Sequence, residues 1–538
     1  MLEMSTEPLI SVLTPVYNTD ADVLEECVAS VVGQTYRNWQ LCLVDDRSPE
    51  PHVWPLLQDI ATRDPRIFVG RRDVNGGIVA ASNDCAALAT GDVVSLLDHD
   101  DLLAPTALAE VAAAFAAHDD VDYVYSDEDI VDLAGRRVAP FYKPDWSPER
   151  FRCQMYTCHL SSIRRTVFDA VGGFRDGFDG SQDWDLMLRV TEVARRIVHI
   201  PKVLYHWRTV ATSVLAGEDV KPYAYDAGRR AVAAHCERFG IDGEVIELRQ
   251  RGHYRVRRSI DTSPLVSIVI PTRGSEGRPW GQSRVMVVEA VRSVIERSSY
   301  ENVEIVVVFD TATPGYVLAR LREIAGDRLQ LVEWTHPFDF SAKVNLGAKE
   351  ATGDLLLLLN DDTEVITPDW IETMSGFLRE PDVGAVGCNL LFEDGRLQHA
   401  GHVHLNGAPG HVMFGQMPTS TRNRMALWLD REVAGVTGAA LLTRASTFAE
   451  VGGFGTEFPN NYNDVDFCLK LRAAGYRIVV TPHASLFHFE SVTRDPTVSD
   501  DELQRLRDRW NSELHRDPYY NPNHLAGLDS YPEPYIYP

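Results

Sequence analysis

Acidic and amide side chains form two clusters, each placed directly after an apolar run typical of a buried strand. The clusters are Asp98, Asp100 and Asp101 after VVSLL, and Asn360, Asp361 and Asp362 after LLLLL. Carboxylates packed this closely repel one another unless a cation neutralises them, although they also suit the cap of a following helix. Because the triplet recurs in the same setting, we favour a metal site. Oxygen ligands suit Mg²⁺ or Mn²⁺ better than Zn²⁺.

Two further pairs of acids stand at the start of helix-like segments. Asp183 and Asp185 precede LMLRV, and Asp464 and Asp466 precede FCLKLRAAG. Negative charge is favourable at a helix N-terminus, so we expect one acid of each pair to act as a cap. The other acid is then available to face the site as a general base.

Histidines keep a nearly constant distance from these acids. His206 lies 23 residues after Asp183, and His488 lies 24 residues after Asp464. A lone histidine is usually a packed or surface residue, but the repeated spacing favours a functional role for this pair.

A separate group of histidines lies in the segment LQHAGHVHLNGAPGHV: His399, His402, His404 and His411. Alternation along a strand places His402 and His404 on one face. We favour an acceptor-site loop or an ordinary hairpin here over a second metal site.

The elements that must position these residues occur twice in the chain. PLISVLTPVYN from Pro8 recurs as PLVSIVIPTRG from Pro264, and ATGDVVSLLDHDD from Ala89 recurs as ATGDLLLLLNDDT from Ala351. The offset grows from 256 to 262 residues, which is typical of two copies of one fold with unequal loops. We therefore expect an N-terminal tail, a first domain, a helical linker, a second domain, and a C-terminal helix with an extended tail: residues 1–7, 8–215, 216–263, 264–495 and 496–538.

Apolar runs that suit strands alternate with helical patterns in both copies, which predicts an α/β fold with a mainly parallel sheet. The predicted strands are Leu9–Pro15, Leu41–Val44, Ile67–Gly70, Val93–Leu97, Val266–Pro271, Val303–Asp310, Leu329–Glu333 and Leu355–Leu359. Ligands of such sheets bind at the carboxyl ends of the strands, where the acid clusters fall.

Helices are predicted at Pro222–Gly240 and Asp500–Leu514, the basic segment Arg249–Arg258 is expected to be a solvated linker, and PYYNPN and YPEPYIYP are expected to lie extended on the domain surface.

The chain has 538 residues and a formal net charge of −26, with 44% hydrophobic and 24% charged positions. A surface this acidic repels nucleic-acid phosphates and anionic lipid, so we expect no nucleic-acid partner. No apolar run approaches the ~20 residues of a spanning helix, and the start MLEMSTEPLI lacks the features of a signal peptide. With eight scattered cysteines, this predicts a cytoplasmic protein, with room for peripheral contact at the inner face of the plasma membrane.

Taken in order, the motifs of both copies resemble those of the family-2 glycosyltransferases, which have a GT-A nucleotide-sugar-binding fold. The first copy contributes SVLTPVYN, LVDDRS, NGGIVAASN, LLDHDD, GSQDWDLMLR and LYHWR. The second contributes SIVIPTR, FSAKVNLG, ATGDLLLLLNDDTEV, EVGGF, NDVDFCLKLRAAGYRI and FHFES. The resemblance covers nearly the whole chain and is of the kind seen in two-domain bacterial enzymes that build surface polysaccharides.

The resemblance implies a site for Mn²⁺ or Mg²⁺ on the donor diphosphate in each copy. Its ligands are the residues that match the family's Asp-x-Asp motif and a histidine found in some relatives: Asp98, Asp100 and His206 in the first copy, and Asn360, Asp362 and His488 in the second. Asp183 and Asp464 match the catalytic base of inverting members.

Other positions match family residues around the nucleotide-sugar donor. They are Pro15, Tyr17, Asn18, Asp46 and Asn83 in the first copy, and Pro271, Thr272, Arg273, Asp310 and Asn345 in the second. The second copy departs from the family in FDTATPG, which replaces the usual Asp-Asn-Gly-Ser or Asp-Asp-Gly-Ser turn.

The resemblance thus implies a metal-dependent, inverting glycosyltransferase that moves sugars from nucleotide-sugar donors to a glycan or lipid-linked glycan. Both copies keep a base and a metal-site acid, which favours two active sites; the alternative is one catalytic domain and one that binds the acceptor. Two alternative functions belong to other classes of protein: a binding scaffold without turnover, and a nucleotidyltransferase. The second lacks support because no Gly-rich, Arg/Lys-bearing triphosphate loop follows the first strand of either copy.

Overall fold

Strands and helices alternate along the first copy, as its apolar pattern predicts. The computed structural model of the chain describes residues 7–209, 222–260, 263–418, 428–489 and 500–523. Strands β1 to β9 are Ile10–Val16, Trp39–Asp45, Ile67–Arg71, Val93–Leu96, Leu102–Leu103, Val121–Val131, Arg137–Phe141, Ser161–Arg164 and Arg196–Arg208. Helices α1 to α7 are Ala21–Val32, Val53–Arg63, Gly77–Leu88, Ala107–Ala117, Pro148–Cys153, Arg165–Ala170 and Gln182–Val193.

The strands of the first copy form one sheet in the order β3-β2-β1-β4-β8-β6-β9-β5, with β7 beside β6. The first four strands in this order run parallel, and β8 and β5 join their neighbours antiparallel. This confirms the predicted mainly parallel sheet. Parallel strands end at one edge, so residues that follow β1, β2 and β4 lie close together.

The central strand β1 is buried on both faces. Ile10 and Val12 pack into one apolar core, and Leu13 packs into a second core on the opposite face. Helices α1, α2 and α4 cover the first core, and α3, α6 and α7 cover the second. A strand between two helical layers must be apolar at nearly every position, which explains its continuous hydrophobic run.

The segment between the copies packs against the first copy. It contains helix α8 (Pro222–Phe239) and the antiparallel strands β10 (Gly243–Glu247) and β11 (Tyr254–Arg258). Ala231 and Tyr254 from this segment are buried in the same core as Trp184. The helix predicted there is confirmed, whereas the expected solvated character of the basic segment is wrong, because β11 contributes to a core.

The second copy continues with strands and helices in a matching order. Strands β12 to β25 are Val266–Thr272, Glu276–Gly277, Arg284–Val285, Val303–Asp310, Leu329–Trp334, Leu355–Leu359, Thr363–Val365, Val383–Leu391, Leu397–His399, His402–Leu405, Ala408–His411, Arg431–Glu432, Ala440–Arg444 and Arg477–His488. Helices α9 to α14 are Met286–Arg297, Gly315–Ala325, Phe340–Glu350, Trp370–Phe377, Ala445–Glu450 and Asn463–Ala473.

The second sheet has the order β16-β15-β12-β17-β24-β19-β25-β18, with β20 beside β19 and β23 beside β25. Position by position, this order and its pattern of parallel and antiparallel neighbours repeat those of the first sheet. The internal repeat therefore encodes two tandem α/β units of one topology. The proposed domain limits at 215 and 495 lie outside the described residues.

The chain after the second copy packs against both copies. Helix α15 (Asp500–His515) confirms the predicted helix, and its Leu506 and Leu514 share an apolar cluster with Leu469 of α14. Asn521 is buried, and its Nδ2 donates to Asp127 of the first copy at 3.0 Å. The PYYNPN segment thus packs against the domains, with Tyr520 and Asn521 buried and Pro522 exposed, and YPEPYIYP lies outside the described residues.

A cluster of buried charges joins the two copies. It contains three carboxylates and three guanidinium groups, from the first copy, from β11 and from the second copy: Glu149, Glu380 and Glu432, and Arg152, Arg258 and Arg477. Arg258 Nη2 lies 2.8 Å from both oxygens of Glu149 and its Nε lies 3.0 Å from Glu380 Oε1. Burial raises the pKa of Glu149, but the neighbouring guanidinium groups outweigh it and hold that pKa below its ordinary value.

Among the helices of the described ranges, none has both the length and the apolar character needed to cross a bilayer.

We expect Arg258→Met to destabilise the protein by about 3–5 kcal/mol, because removing one partner leaves buried carboxylates without their counter-charge. Urea unfolding followed by circular dichroism measures the change. The matched control is Arg257→Met, since Arg257 pairs with Glu244 at an exposed position and should cost at most ~1 kcal/mol. Equal effects of the two substitutions would contradict a stabilising role for the buried cluster.

Candidate active sites

The second copy brings an amide, a carboxylate and an imidazole together at the carboxyl end of β17. Strand β18 pairs antiparallel with β25, which sets Thr363 opposite His488. Asn360 Nδ2 donates to His488 Nε2 at 3.1 Å, and Asp362 Oδ1 lies 3.1 Å from the same nitrogen. The structure therefore brings together the three metal-site residues predicted for this copy.

His488 is held with a nitrogen lone pair facing these residues. Its Nδ1–H donates to Gln398 Oε1 at 2.8 Å, which fixes the proton on Nδ1 and leaves Nε2 as an acceptor. Asn360 Oδ1 and Asp362 Oδ1 are buried and accept no hydrogen bond from the described residues. An acceptor nitrogen close to an unsatisfied carboxylate oxygen is unfavourable unless a cation lies between them, so these residues fit a hard divalent cation.

The first copy orients His206 in the same way with a different partner. His206 Nδ1–H donates to Asp129 Oδ1 at 2.5 Å, and Arg137 Nε binds the other oxygen at 2.7 Å. Leu102 of β5 pairs with His206 of β9, which brings the imidazole to the edge of the sheet that carries Asp98 and Asp100. Both of these acids are half-buried.

A histidine to which the sequence pattern assigns no role lies beside Asp98. His159 is buried, its Nε2 is 3.6 Å from Asp98 Oδ2, and its ring stacks on Tyr205 with centroids 4.4 Å apart. The charge of Asp183 also acts on this ring. His159 thus lies between the predicted metal acid and the predicted base of the first copy.

Both acid clusters contain negative charge that the protein leaves incompletely compensated. Burial raises the pKa of Asp101, and the charges of Asp100 and Asp98 raise it further. Burial likewise raises the pKa of Asp361 to about 7, with a further contribution from Asp362. Closely spaced carboxylates have this effect on one another, and a bound dication would relieve it.

The two predicted bases lie in corresponding first turns, Asp183 in α7 and Asp464 in α14, and both are half-buried. Each accepts a hydrogen bond from the amide of the following residue at 2.8 Å, and Gly438 N–H also donates to Asp464 at 3.0 Å. Burial raises the pKa of Asp183. For Asp464, the neighbouring His402 ring and the Gly438 amide outweigh burial, so its pKa is lowered.

The N-cap role expected for one acid of each pair is wrong, although all four acids lie in the first turn of their helices, where negative charge is favourable. The residues at the N-cap positions are Ser181 and Tyr462. Asp185 is buried with Arg189 Nη2 2.8 Å away, and Asp466 is buried and accepts a hydrogen bond from Trp510 Nε1 at 2.8 Å. Both acids lie on the inner side of their helices, where a carboxylate requires a partner.

The two copies treat the predicted nucleoside-binding acid differently. Asp46 accepts hydrogen bonds from the amides of Gly76 and Gly77 at 2.8 Å each, which fixes the loop before α3. Asp310 instead binds Lys343 Nζ at 2.7 Å, and this ammonium group is buried. Arg72 Nε also lies 3.1 Å from Asp46 Oδ1, so both acids have a cationic partner, a guanidinium group in the first copy and a buried ammonium group in the second.

The remaining predicted donor residues of the first strands lie at the carboxyl ends of β1 and β12: Pro15, Tyr17 and Asn18, and Pro271, Thr272 and Arg273. Tyr17 is exposed at this edge. Thr272 Oγ1–H donates to Asp361 Oδ2 at 2.5 Å, and the Arg273 guanidinium lies 3.8 Å above the Phe338 ring. These side chains share the sheet edge with the acid clusters, and their contact with the donor stays a prediction.

Asn83 and Asn345 make the same pair of hydrogen bonds in the two copies. Asn83 Nδ2 donates to Phe174 O at 2.8 Å, and Phe174 N–H donates to Asn83 Oδ1 at 3.1 Å. Asn345 bonds both backbone groups of Phe454 at 2.9 Å. These amides hold the GGF turn that leads into the helix of the base, and their donor contact stays a prediction.

The histidine-rich segment confirms the expected hairpin. Strands β21 and β22 pair antiparallel with His402 opposite His411, and His404 is buried further along β21. His399 ends the preceding strand β20, and its ring lies against those of His402 and His411. The position of His402 beside Asp464 brings this hairpin to the second candidate site.

Sequence reasoning assigned no role to Asp129, Gln398, His159 or Lys343. The acidic run YSDED at a strand end and the lysine in FSAKVNLG are signals that could have drawn attention to Asp129 and Lys343. Gln398 and His159 have no such signal, because their importance depends on which side chain faces them across the sheet.

Comparison with known proteins assigns this arrangement to a family. A model described as glycosyl transferase family 2 matches residues 11–172 and 267–452, one segment in each copy. This agrees with the expected pair of tandem GT-A domains. Over 42% of this chain and 64% of the other, the structure superposes on Staphylococcus aureus TarS 1-349 with 18% identity and a TM-score of 0.34.

Two relatives match almost the whole chain. An uncharacterized protein of Sinorhizobium fredii, y4gI, is 39% identical over 96% of this chain and 57% of its own length. The O-antigen biosynthesis protein RfbC of Myxococcus xanthus is 38% identical over 98% of this chain and 42% of its own length. The chain thus spans about half the length of these relatives.

We expect Asn345→Ala to cost about 1–3 kcal/mol, because it leaves both backbone groups of buried Phe454 unpaired. The change is measured as a lower midpoint of thermal unfolding. Lys349→Ala, on the exposed face of the same helix, is the control and should leave the midpoint nearly unchanged. An Asn345→Ala midpoint equal to that of the control would show that the turn does not depend on this amide.

Proposed function

The chain belongs to glycosyl transferase family 2, and from that premise we propose that it transfers sugars from nucleotide-sugar donors to a growing bacterial surface glycan. The observation that carries this proposal is the convergence of Asn360, Asp362 and His488 at the sheet edge. Asn360 N–H donates to Ala439 O, next to Gly438, whose amide binds Asp464. The first copy presents equivalent residue types on the same topology. A glycan or lipid-linked glycan is the acceptor that we propose.

The relative from Myxococcus xanthus supports the class of product. It is named an O-antigen biosynthesis protein, and its similarity extends over 98% of this chain. This chain covers 42% of that relative's length. The activity and the acceptor of this chain are therefore proposals. The eight buried thiols, all free, support a reducing, cytoplasmic setting.

Six residues are proposed to hold a divalent cation, Mn²⁺ or Mg²⁺, in the two sites: Asp98, Asp100 and His206, and Asn360, Asp362 and His488. The mutual repulsion of the acids and the unsatisfied oxygens of Asn360 and Asp362 support this assignment. When bound, such a cation stabilises the negative charge that develops on a departing nucleoside diphosphate.

Asp183 and Asp464 are proposed as the general bases. A hydroxyl group is a weak nucleophile until its proton is removed, and a carboxylate beside it takes this proton as the oxygen attacks the anomeric carbon. The glycosidic bond forms as the bond to the diphosphate breaks, and one displacement inverts the anomeric configuration. The half-buried position of both carboxylates keeps them accessible to an acceptor.

The donor nucleotide is proposed to lie along the carboxyl ends of the first two strands of each sheet. In the first copy Pro15, Tyr17, Asn18, Asp46 and Asn83 would surround it. In the second copy the corresponding set is Pro271, Thr272, Arg273, Asp310 and Asn345. Asp46 is paired with Arg72 and Asp310 with Lys343, and this difference in the cationic partner supports a different donor preference.

Two active sites are proposed because each copy keeps both a base and a metal-site acid. The alternative is that one copy is catalytic and the other binds the acceptor. Asn360 in the position of Asp98 makes the second copy the candidate for that role, since it removes one carboxylate from the cation site.

Asp183→Asn and Asp464→Asn distinguish these alternatives. Loss of a base typically lowers the rate on the order of 10²–10⁴-fold, so each substitution should abolish a different linkage. Products formed from nucleotide-sugar donors with Mn²⁺ are compared by mass spectrometry and linkage analysis. Asp176→Asn, in an exposed loop of the first copy, is the control.

If Asp464→Asn leaves every product unchanged while Asp183→Asn removes all of them, the second copy is not catalytic. If neither variant affects product formation or the release of nucleoside diphosphate, the proposed bases are incorrect.

The pKa values of the two bases are shifted in opposite directions, so the two sites should lose activity at different acidic pH values. A base must be ionised to act, so activity falls as the pH drops through its pKa. The pKa of Asp183 is raised and that of Asp464 is lowered. In Asp464→Asn, which retains only Asp183, kcat/KM should therefore fall at a higher pH than in Asp183→Asn. If kcat/KM falls at the same pH in both variants, or at a lower pH in Asp464→Asn, the assignment of these bases is contradicted.

A further inference from the structure

Three imidazole rings form a triangle beside the second candidate site. The ring centroids of His399, His402 and His411 lie 5.0–5.2 Å apart in every pair, with interplanar angles of 78–80°. One ring nitrogen of each histidine lies within 4.8 Å of those of the other two. Within the described part of the chain, this is the one group of histidine, cysteine or acidic side chains with such spacing.

The backbone around the triangle is built to hold these rings together. His402 and His411 are direct partners across the β21–β22 hairpin, and His402 N–H donates to Gly435 O at 2.7 Å. A Cβ atom at Gly435 would lie 2.9 Å from His402 Nδ1, so only glycine leaves room for this ring. His399 and His402 are buried and His411 is half-buried, which leaves one side of the triangle open.

Burial disfavours the charged form of the His399 and His402 rings. Burial lowers the pKa of His402 to about 4, and it also lowers the pKa of His399. Nδ1 of His402 is buried without a hydrogen-bond partner among the described residues. Neutral imidazoles are the form that binds metal ions, and an unsatisfied buried nitrogen is costly unless something binds it.

We propose that His399, His402 and His411 bind a transition-metal cation of the zinc type, at a site distinct from the Asn360, Asp362 and His488 set. Imidazole ligands suit Zn²⁺, and three of them with an open fourth position form a familiar coordination pattern. The absence of a carboxylate among the three distinguishes this site from one for Mg²⁺ or Mn²⁺. The proposal concerns binding and does not depend on the proposed glycosyl transfer.

The present contacts define what must change when a cation enters. His399 Nδ1 and His411 Nδ1 share a hydrogen bond of 2.8 Å. Ligand nitrogens around a tetrahedral ion with bonds of about 2.1 Å lie roughly 3.4 Å apart, so these two rings must separate slightly. His399 Nε2, which accepts the Thr437 amide at 3.2 Å, must then carry the proton and release that amide.

This release links the triangle to the predicted base. Thr437 precedes Gly438, whose amide donates to Asp464 Oδ2. A cation bound by His399 therefore acts on the segment that orients Asp464, because the amide it releases, that of Thr437, is adjacent in the chain to the Gly438 amide that binds Asp464. Hydrogen exchange of the 436–438 amides reports this effect without any activity measurement.

Titration of the chelator-stripped full chain with ZnCl₂ alone, followed by calorimetry and metal analysis, tests the proposal. The unsubstituted chain should bind one equivalent of Zn²⁺. The variants His402→Gln and His411→Gln should bind no zinc at this site, or bind it more than about 10-fold more weakly. His404→Gln is the matched control, because His404 is buried on the same strand outside the triangle. The His404→Gln variant should still bind one equivalent of Zn²⁺.

Asp362→Asn separates this site from the proposed donor-cation site, since it should keep the zinc equivalent even if Mn²⁺ binding fails. His411 is half-buried, so His411→Gln decides the outcome if His402→Gln fails to fold. Equal Zn²⁺ binding by the unsubstituted chain and His411→Gln would overturn the proposal. Unchanged exchange of the 436–438 amides on zinc addition would overturn the predicted release of Thr437.

Discussion

The pairing of a two- or three-residue strand with the last long strand of each sheet creates both candidate sites. In the first copy Leu102 pairs with His206, and in the second Thr363 pairs with His488. These ladders bring an imidazole from more than 100 residues away to acids that end a central strand. In the second copy the ladder places His488 Nε2 3.1 Å from Asp362 Oδ1, so the proposed cation site there depends on this antiparallel contact.

The two copies meet one requirement with different residues. A histidine that offers Nε2 to a cation must give its Nδ1 proton to an acceptor. Asp129 provides that acceptor in the first copy and Gln398 in the second. The predicted nucleoside-binding acid likewise has different partners: Asp46 binds two backbone amides and Arg72, and Asp310 binds the ammonium group of Lys343. The two copies thus keep the positions of these side chains while the groups that hold them differ.

Much of the fold follows from the apolar pattern, because a strand between two helical layers must be hydrophobic on both faces. The repeat, the order of strands and helices, and the acids at the ends of β4 and β17 were all predictable on this basis. The partners of buried charges were not. Asp185 looked like a helix cap, yet it binds Arg189 inside the first copy, and Arg258 in an apparently solvated segment joins both copies.

The internal repeat, the α/β class and the residue types gathered at the strand ends all follow from the order of the amino acids alone. Periodicity and spacing are local properties, and both can be identified in the sequence without knowledge of contacts. Only the tertiary structure decided which side chains face one another, such as His159 with Asp98, or His399 with His411. Such pairs come from different segments of the chain, and their meeting depends on register and burial, which the linear pattern does not encode.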